Sequence, residues 1–292
     1  MKVGINGFGR IGRLVMRAIL ESQNTDIQIV AINDLGNLEQ NIHLLKYDSV
    51  HGNIGVKIDV KDDKLNVGHH EVSFYKSTLP QDIPWHKNEV DIVLECTGFF
   101  TDADKAKGHI NAGAKKVLIS APSNNADLTV VYGVNHNLIT DRHNIISNAS
   151  CTTNCLAPVA KIINDNFKIE AGFMTTVHSF ASDQKILDGL HKDFRRARTA
   201  SISMIPTSTG AAKAVGLVLP ELRGKLDGTA IRIPTPNVSM IDLGRRFRLI
   251  VSKVESVQIN ETLPFLPVAR ALWKPLPNLD IAAHAWILSG GS

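Results

Sequence analysis

Short apolar runs alternate with segments of helical periodicity over the first 150 residues. The run KVGIN precedes the turn GFGRIG, and the next segment, RLVMRAILES, has apolar residues at helical spacing. The runs IQIVAIND, DIVLECTG and KKVLIS predict further buried strands, and DADKAKGHINAG predicts a helix between the last two. VKIDVKDDKLNV predicts a hairpin that turns at Asp62 and Asp63. This alternation indicates an α/β domain with a doubly wound parallel sheet.

The pattern changes near residue 149. A long helix is predicted from Thr152 to Asp165, and the runs EAGFMTTVHSF, GTAIRIPTPNVSMIDL and FRLIVSKV that follow are rich in β-branched residues. We therefore expect a second, α+β catalytic domain. The predicted boundaries are 1–149 for the first domain, 150–243 for the second and 244–292 for a tail of different composition.

Composition is that of a globular chain with two domains: 292 residues, 43% hydrophobic and 21% charged. Three cysteines and no signal-like start predict a reduced, cytoplasmic setting, and no apolar run supports a membrane span. The net charge of +4 leaves nucleic acid as an alternative partner. The basic residues are spread along the chain except at RRAR and RRFR, so acidic small molecules explain the charge equally well.

A glycine fingerprint lies between the first predicted strand and helix. Gly7, Gly9 and Gly12 match G-x-G-x-x-G, in which the glycines allow a tight turn, close approach of a pyrophosphate and close helix packing. Asp34 ends the second strand, where an acid accepts hydrogen bonds from the ribose hydroxyls and repels a 2′-phosphate. These features predict a Rossmann-type domain that binds NAD rather than NADP.

Two cysteines lie four residues apart in SNASCTTNCLAP. A metal site lacks further ligands, and a disulfide is disfavoured within one helical turn, so no metal is expected. Cys151 lies at the predicted helix start, where the positive end of the dipole favours a thiolate, whereas Cys155 lies inside the helix. Cys151 is therefore the candidate nucleophile and Cys155 a candidate core residue.

His178 ends a predicted strand 27 residues after Cys151, so a helix leading out and a strand returning would bring the two together. A structural histidine is the alternative. In the long basic loop that follows, the arginines at 195, 196 and 198 fit either a solvated face or an anion site. The segment PTSTG predicts that residues 207–210 open a helix and hold a phosphate through hydroxyl and N–H groups.

The segments INGFGRIGR, SNASCTTNCLAP, TTVHS, HKDFRRARTAS, PTSTGAAKAVG and RIPTPNVS resemble the phosphorylating glyceraldehyde-3-phosphate dehydrogenases, over residues 1 to about 243. The resemblance implies that Cys151 attacks the aldehyde to give a thiohemiacetal, with His178 as base. NAD would take the hydride, and inorganic phosphate would release the thioester as 1,3-bisphosphoglycerate. It also implies a homotetramer whose basic loop crosses near a neighbour's cofactor.

Matching the motifs by position implies three sets of binding residues. The cofactor set is Asn6, Gly7, Gly9, Arg10, Ile11, Gly12, Asp34, Thr97, Gly98, Phe100 and Ser120. The attacking-phosphate set is Ser150, Thr152, Arg195, Thr209 and Gly210, and the substrate-phosphate pair is Asp183 and Arg232.

Three departures from the family pattern bear on these expectations. Ala181 replaces the usual threonine, and Leu190 stands where many NAD-using members have proline. After Leu243 the tail does not resemble the family and lacks its asparagine for the nicotinamide carboxamide. We expect an altered reading of the coding sequence there and slower turnover. The alternatives are erythrose-4-phosphate dehydrogenase, a cysteine hydrolase, or a non-catalytic protein that binds NAD or RNA.

Overall fold

The computed structural model of the chain describes residues 1–22, 26–61, 64–247 and 286–289. The chain divides into two compact units, Met1–Val130 with His136–Ser150 and Val131–Asn135 with Cys151–Ser292. The boundaries 1–149, 150–243 and 244–292 stay predictions of domain organisation.

The first unit is an α/β layer structure. Its helices are α1 (Arg10–Ser22), α2 (Leu38–Lys46) and α3 (Ala103–Asn111). Its strands are β1 (Lys2–Asn6), β2 (Gln28–Asn33), β3 (Tyr47–Asp48), β4 (Gly52–Asn53), β5 (Ile58–Lys61), β6 (Lys64–Val67), β7 (His70–Tyr75), β8 (Ile92–Glu95), β9 (Lys116–Ile119), β10 (Leu128–Thr129) and β11 (Ile145–Ser147). In the described residues the main sheet has the order β10-β11-β9-β8-β1-β2-β7-β6-β5.

Neighbouring strands from β10 to β7 run parallel, whereas β6 and β5 pair antiparallel at one edge. The predicted α/β class with a mostly parallel sheet is therefore confirmed. The strands β5 and β6 form the predicted hairpin, although its turn at Asp62 and Asp63 lies outside the described residues.

Sequence analysis did not predict β7, which pairs parallel with β2 and antiparallel with β6. Its sequence, HEVSFY, alternates buried and exposed positions at its start instead of forming one apolar run, so it lacks the usual signal of a buried parallel strand. The helix α2 was also missed. Its start carries a clear signal, because the side chain of Asn37 accepts a hydrogen bond from the backbone N–H of Glu39.

Apolar packing holds α1 against the sheet. Met16 of α1 belongs to one buried cluster with Ile5 of β1 and Ile29 and Ile32 of β2. A Cβ at Gly12 would lie 3.0 Å from the Ile5 side chain, so glycine there lets the helix lie close to β1. The start of α1 is thereby fixed at the carboxyl end of the parallel strands.

In its described residues, the second unit is a mixed sheet with two α-helices, in agreement with the α+β prediction. The helices are α4 (Cys151–Phe167) and α5 (Ala211–Val218). The strands are β12 (Ile169–Ser179), β13 (Ile205–Ser208), β14 (Leu226–Ile233), β15 (Ser239–Phe247) and β16 (Trp286–Ser289), in the order β13-β14-β12-β15-β16. The strand β12 is parallel to β14 and antiparallel to β15.

One local prediction is wrong. Thr207 and Ser208 do not open a helix, because they lie in β13 and pair with β14. The helix α5 begins only at Ala211, with Gly210 as its N-cap residue. The β-branched residues of IPTS, Ile205 and Thr207, favour a strand over the first turn of a helix.

The tail is described only in part. The strand β15 continues past Leu243 to Phe247, and β16 pairs antiparallel with β15 from Ser239 to Asp242. Residues 248–285, which include all of the predicted strand FRLIVSKV after Phe247, lie outside the described residues. In the part of the chain that the structure describes, no helix combines the length and apolar character needed to cross a membrane.

Candidate active site

An open groove of about 630 Å³ lies in the first unit. It is lined by Asn6, Gly7, Gly9, Asn33, Asp34, Leu35, Ser77, Thr78, Cys96, Thr97, Phe99, Phe100 and Lys105. Many of these residues end or directly follow β1, β2, β7 and β8. In an open parallel sheet, ligands bind at the carboxyl ends of the strands, which is where the groove lies.

The glycine turn has the geometry that a pyrophosphate requires. Gly7 has φ = +89°, and a Cβ there would lie 2.8 Å from the backbone nitrogen of Thr97. At Gly9 a Cβ would meet no atom within 4 Å, so the space over that backbone is open. The helix α1 starts at Arg10, where the first N–H groups of a helix are available to an anion. A dinucleotide therefore fits this turn.

Asp34 contacts the glycine turn directly. Its Oδ2 accepts a hydrogen bond from the backbone N–H of Phe8 at 2.8 Å, and its Oδ1 accepts from Gly36 N at 2.8 Å and from Asn41 Nδ2 at 3.3 Å. These donors hold the carboxylate at the edge of the groove. The hydrogen bond with Phe8 was not predicted from the sequence. It connects Asp34, the residue expected to bind the adenosine ribose, with the turn expected to bind the pyrophosphate.

Not every predicted cofactor residue lines the groove. Asn6, Gly7, Gly9, Asp34, Thr97 and Phe100 do, whereas Arg10, Ile11, Gly12, Gly98 and Ser120 are absent from its lining. The side chain of Arg10 forms an ion pair with Asp48. Lining residues that were missed include Asn33, Ser77 and Thr78. Ser77 and Thr78 follow β7, so a correct prediction of that strand would have indicated them as lining residues.

A thiol and an imidazole meet in the second unit. Cys151 is the first residue of α4 and is exposed, and its Sγ lies 3.3 Å from Nε2 of His178 on β12. The chain reverses between these elements at Lys168, which has φ = +56°. The predicted path of helix out and strand back thus brings the two side chains together.

The surroundings of His178 favour a neutral imidazole. Its Nδ1 lies 2.8 Å from the carbonyl oxygen of Ser179 and 2.6 Å from Nη1 of Arg232, which itself donates to that carbonyl at 2.8 Å. Burial lowers the pKa of His178, and the charge of Arg232 lowers it further against the opposing hydrogen bond to Ser179. Ser179 and Arg232 compete for Nδ1, because this atom cannot donate to the carbonyl and accept from the guanidinium at once. In the tautomer with Nδ1–H donating to Ser179, the lone pair of Nε2 faces the Cys151 sulfur.

Strand register explains the place of Arg232. The strands β12 and β14 run parallel with His178 opposite Arg232. Burial lowers the pKa of Arg232, the charge of Arg196 lowers it further, and Asp183 and Cys151 raise it. Its Nε is buried and has no hydrogen-bond partner among the described residues.

Polar residues surround the starts of both helices. Thr152 is buried, with its Oγ1 4.0 Å from the Cys151 sulfur. Thr153 Oγ1 donates to the carbonyl oxygen of Ala211 at 3.3 Å, which ties the start of α4 to the start of α5. Thr209 Oγ1 accepts from Ala211 N at 3.2 Å. The contact of Thr153 with Ala211 thus joins the segment that carries Thr152 to the segment that carries Thr209 and Gly210. Ser150 directly precedes Cys151 and is half-buried.

The loop arginines differ in their contacts. Arg195 donates to Asp193 through Nε at 3.0 Å and Nη2 at 2.9 Å, on an exposed part of the loop. Arg196 donates through Nη1 to Asp183 at 2.6 Å and through Nε to Thr207 Oγ1 at 2.9 Å. Arg196 thus forms the ion pair with Asp183, which was predicted to bind the substrate phosphate. Arg195 and Arg196 are adjacent in the sequence, which does not indicate which of the two contacts Asp183.

The three thiols have distinct environments. None of the three forms a disulfide, and Cys151 is exposed whereas Cys155 is buried. Cys96 borders the groove, but burial raises the pKa of its thiol to about 12 despite a hydrogen bond with Ser120. A thiolate at Cys96 is therefore disfavoured near neutral pH.

A dinucleotide groove and a cysteine–histidine pair on one chain define the class of dinucleotide-binding proteins with a candidate nucleophilic thiol. Comparison with known families narrows this class. Residues 1–103 match the NAD binding domain of glyceraldehyde 3-phosphate dehydrogenase, and residues 150–264 match its C-terminal domain. The chain belongs to the glyceraldehyde-3-phosphate dehydrogenase family, so the predicted family and the predicted cofactor NAD are confirmed.

Curated relatives agree with this assignment. The chain is 60% identical over 263 residues to a protein of Xanthobacter flavus named glyceraldehyde-3-phosphate dehydrogenase, covering 90% of this chain and 78% of that relative. It is 58% identical over 243 residues to the protein of that name from Cereibacter sphaeroides, covering 83% and 72%. A Bacillus subtilis protein, glyceraldehyde-3-phosphate dehydrogenase 1, is 56% identical over 244 residues, with the same coverage. The family match of the C-terminal domain extends past Leu243 to residue 264.

Proposed function

We infer that the chain oxidises glyceraldehyde 3-phosphate with NAD as the electron acceptor. The observation that carries this inference is the 3.3 Å contact of the Cys151 sulfur with His178 Nε2, at the start of a helix, in a member of this family. Erythrose-4-phosphate dehydrogenase is not favoured, because the similar curated proteins are named for the triose substrate.

The chemistry begins with proton transfer from the Cys151 thiol to the neutral His178. The thiolate attacks the aldehyde carbon, and the imidazolium returns its proton to the developing alkoxide, which completes a thiohemiacetal. His178 then removes the hydroxyl proton while the C–H bond breaks. NAD, when bound, accepts the hydride from this carbon. The product on the enzyme is a thioester of Cys151.

We propose that inorganic phosphate then attacks the thioester carbonyl and releases the Cys151 thiolate. Hydroxyl and N–H groups near Thr152, Thr209 and Gly210 support this step, because they surround the starts of α4 and α5. Ser150 and Arg195 belong to the same predicted set through the resemblance. The expected product is 1,3-bisphosphoglycerate.

The phosphate of the substrate itself is proposed to bind at Arg232 and Asp183. Arg232 supports this proposal because its half-buried guanidinium lies beside His178, and a guanidinium pairs well with phosphate oxygens. Arg196 supports this role because it neutralises Asp183 at 2.6 Å. Ala181 removes one hydroxyl from the family's pattern, so we expect somewhat weaker binding of this phosphate.

We also propose a cytoplasmic homotetramer. Its support is the loop after β12, which exposes large apolar side chains. Ile186, Leu187, Leu190, Phe194, Ile202 and Met204 are each at least 73% exposed. Exposed apolar groups of this number mark a protein interface. Light scattering on the purified chain should give four times the chain mass, and a monomer at micromolar concentration would contradict the proposal.

The activity is tested by following NADH formation with glyceraldehyde 3-phosphate, in the presence and absence of inorganic phosphate. Sustained turnover that needs phosphate is expected. A preference for erythrose 4-phosphate would indicate the rival enzyme. Salt-dependent RNA binding without oxidation of either aldehyde would instead indicate the non-catalytic alternative.

A further inference from the structure

A buried chain of hydrogen bonds lies beneath the cofactor groove. Nε1 of Trp85 donates to Nδ1 of His109 at 3.0 Å, and Nε2 of His109 lies 3.0 Å from Oε2 of Glu95. The side-chain amide of Asn6 donates to the same Oε2 at 2.6 Å. Each of these four residues is at most 1% exposed. None of the chemical steps above uses His109 or Glu95.

The donors fix where the protons lie. An indole N–H can only donate, so Nδ1 of His109 must accept and carries no proton. The ring is then neutral, and its proton lies on Nε2, from which it is donated to Glu95. The other oxygen of Glu95 accepts from the backbone N–H of Thr97 at 2.8 Å and from the Thr97 hydroxyl. These donors suit an ionised carboxylate, whose burial is tolerable because its oxygens are hydrogen-bonded.

The same contacts orient the walls of the groove. Because the Asn6 amide nitrogen faces Glu95, its oxygen is free to accept from Asn33 Nδ2 at 2.8 Å. The Asn33 oxygen then accepts from the backbone N–H of Ser77 at 2.8 Å. Asn6, Asn33, Ser77 and Thr97 all line the groove. The buried carboxylate of Glu95 therefore orients side chains at the ends of β1, β2 and β8, namely Asn6, Asn33 and Thr97.

We propose that Glu95 and His109 are positioning residues for the pyrophosphate-binding turn. Thr97 is the link, because Gly7 packs on it so closely that even a Cβ would lie 2.8 Å from its nitrogen. Glu95 holds Thr97 by two hydrogen bonds and Asn6 by one, so loss of its carboxylate shifts both supports of the turn. His109 holds Glu95 in place and is itself held by Trp85. This inference rests on NAD as the cofactor.

The main test is Glu95→Gln, which keeps the shape of the side chain but replaces one acceptor with an NH₂ donor. That donor would face Asn6 or Thr97. Calorimetric titration should show NAD binding weakened about tenfold or more, the size expected for hydrogen bonds to a charged group. Binding of AMP, which lacks the pyrophosphate, should change much less. Glu89→Gln, at an exposed ion pair with Lys2, is the matched control and should bind NAD as the unaltered chain does.

Two histidine variants separate positioning from simple loss of stability. His109→Gln can still donate to Glu95 but loses the acceptor for Trp85, whereas His109→Asn can still accept from Trp85 but does not reach Glu95. Both remove one buried contact, and urea unfolding should show a similar loss of stability. We expect only His109→Asn to weaken NAD binding markedly. Equal NAD affinity for the two, at equal stability, would overturn the proposal.

If the unaltered chain failed to bind NAD, the proposed function would fail. Binding of NAD that is insensitive to Glu95→Gln would defeat only this inference.

Discussion

Gly7 and Gly9 are expected to respond in opposite ways to the same substitution. At Gly9, φ is not in the left-handed region and a Cβ would meet no atom within 4 Å. The variant Gly9→Ala should therefore fold normally, with unfolding free energy unchanged or raised by about 0.4–1 kcal/mol through lower entropy of the unfolded chain. The added methyl group would occupy the space that the pyrophosphate needs.

The cost at Gly7 follows from its geometry. Alanine at φ = +89° costs about 1–2 kcal/mol of backbone strain. Its Cβ would also lie 2.8 Å from Thr97 N and 2.9 Å from Thr97 Cα, and overpacking against backbone adds about 1–3 kcal/mol. The variant Gly7→Ala should thus lose about 2–5 kcal/mol of unfolding free energy in total.

Urea unfolding and calorimetric titration with NAD measure the two effects separately. For Gly9→Ala we expect normal stability and NAD binding about 10- to 150-fold weaker, the effect of losing one hydrogen bond to a charged group. The control is AMP, whose binding at Asp34 should persist. An NAD dissociation constant equal to that of the unaltered chain would show that the backbone at position 9 does not approach the pyrophosphate, and would refute this account of the turn.

Three further predictions concern single side chains. Cys151 should react with iodoacetamide near pH 7 much faster than Cys96, whose pKa is about 12, and equal labelling of the two in peptide mass spectra would count against Cys151 as nucleophile. The substitution Arg232→Gln removes a charge that lowers the pKa of His178, so an NMR titration should show His178 taking up its proton at higher pH; an unmoved or lower midpoint would contradict the assigned electrostatics. The substitution Asp34→Asn should narrow the preference for NAD over NADP, because it removes the charge that repels the 2′-phosphate, and an unchanged ratio of dissociation constants would show that Asp34 does not contact the ribose.

The parts of the site that the sequence could predict come from contiguous segments. The glycine turn is local, since the strand, glycines and helix follow one another, so its place in the chain could be predicted from their spacing. The approach of His178 to Cys151 needed only one further step, a helix followed by a returning strand. The α/β class of the first unit followed from its alternating apolar runs and helical periodicity, and the α+β class of the second followed from its β-branched runs.

Contacts that depend on strand pairing were not predicted, including the contact of Arg232 with His178, although the resemblance named Arg232 itself as a site residue. Arg232 lies beside His178 because β12 and β14 are parallel neighbours in a particular register, and no motif encodes this register. Ser77 joins the groove because β7 pairs with β2, and HEVSFY lacks the continuous apolar run of a buried parallel strand. The hydrogen bonds of Glu95 with His109 likewise join separate segments of the sequence.

Covalent catalysis by Cys151 is tested most directly by trapping the acyl-enzyme. The chain is mixed with NAD and glyceraldehyde 3-phosphate without inorganic phosphate, quenched in acid and examined by mass spectrometry after digestion. We predict that the peptide containing Cys151 gains the mass of the phosphoglyceroyl group and that added phosphate removes it. The same experiment with Cys151→Ser should give no adduct. An adduct at another residue, or NADH formed at an undiminished rate by Cys151→Ser, would contradict the assignment of Cys151 as nucleophile.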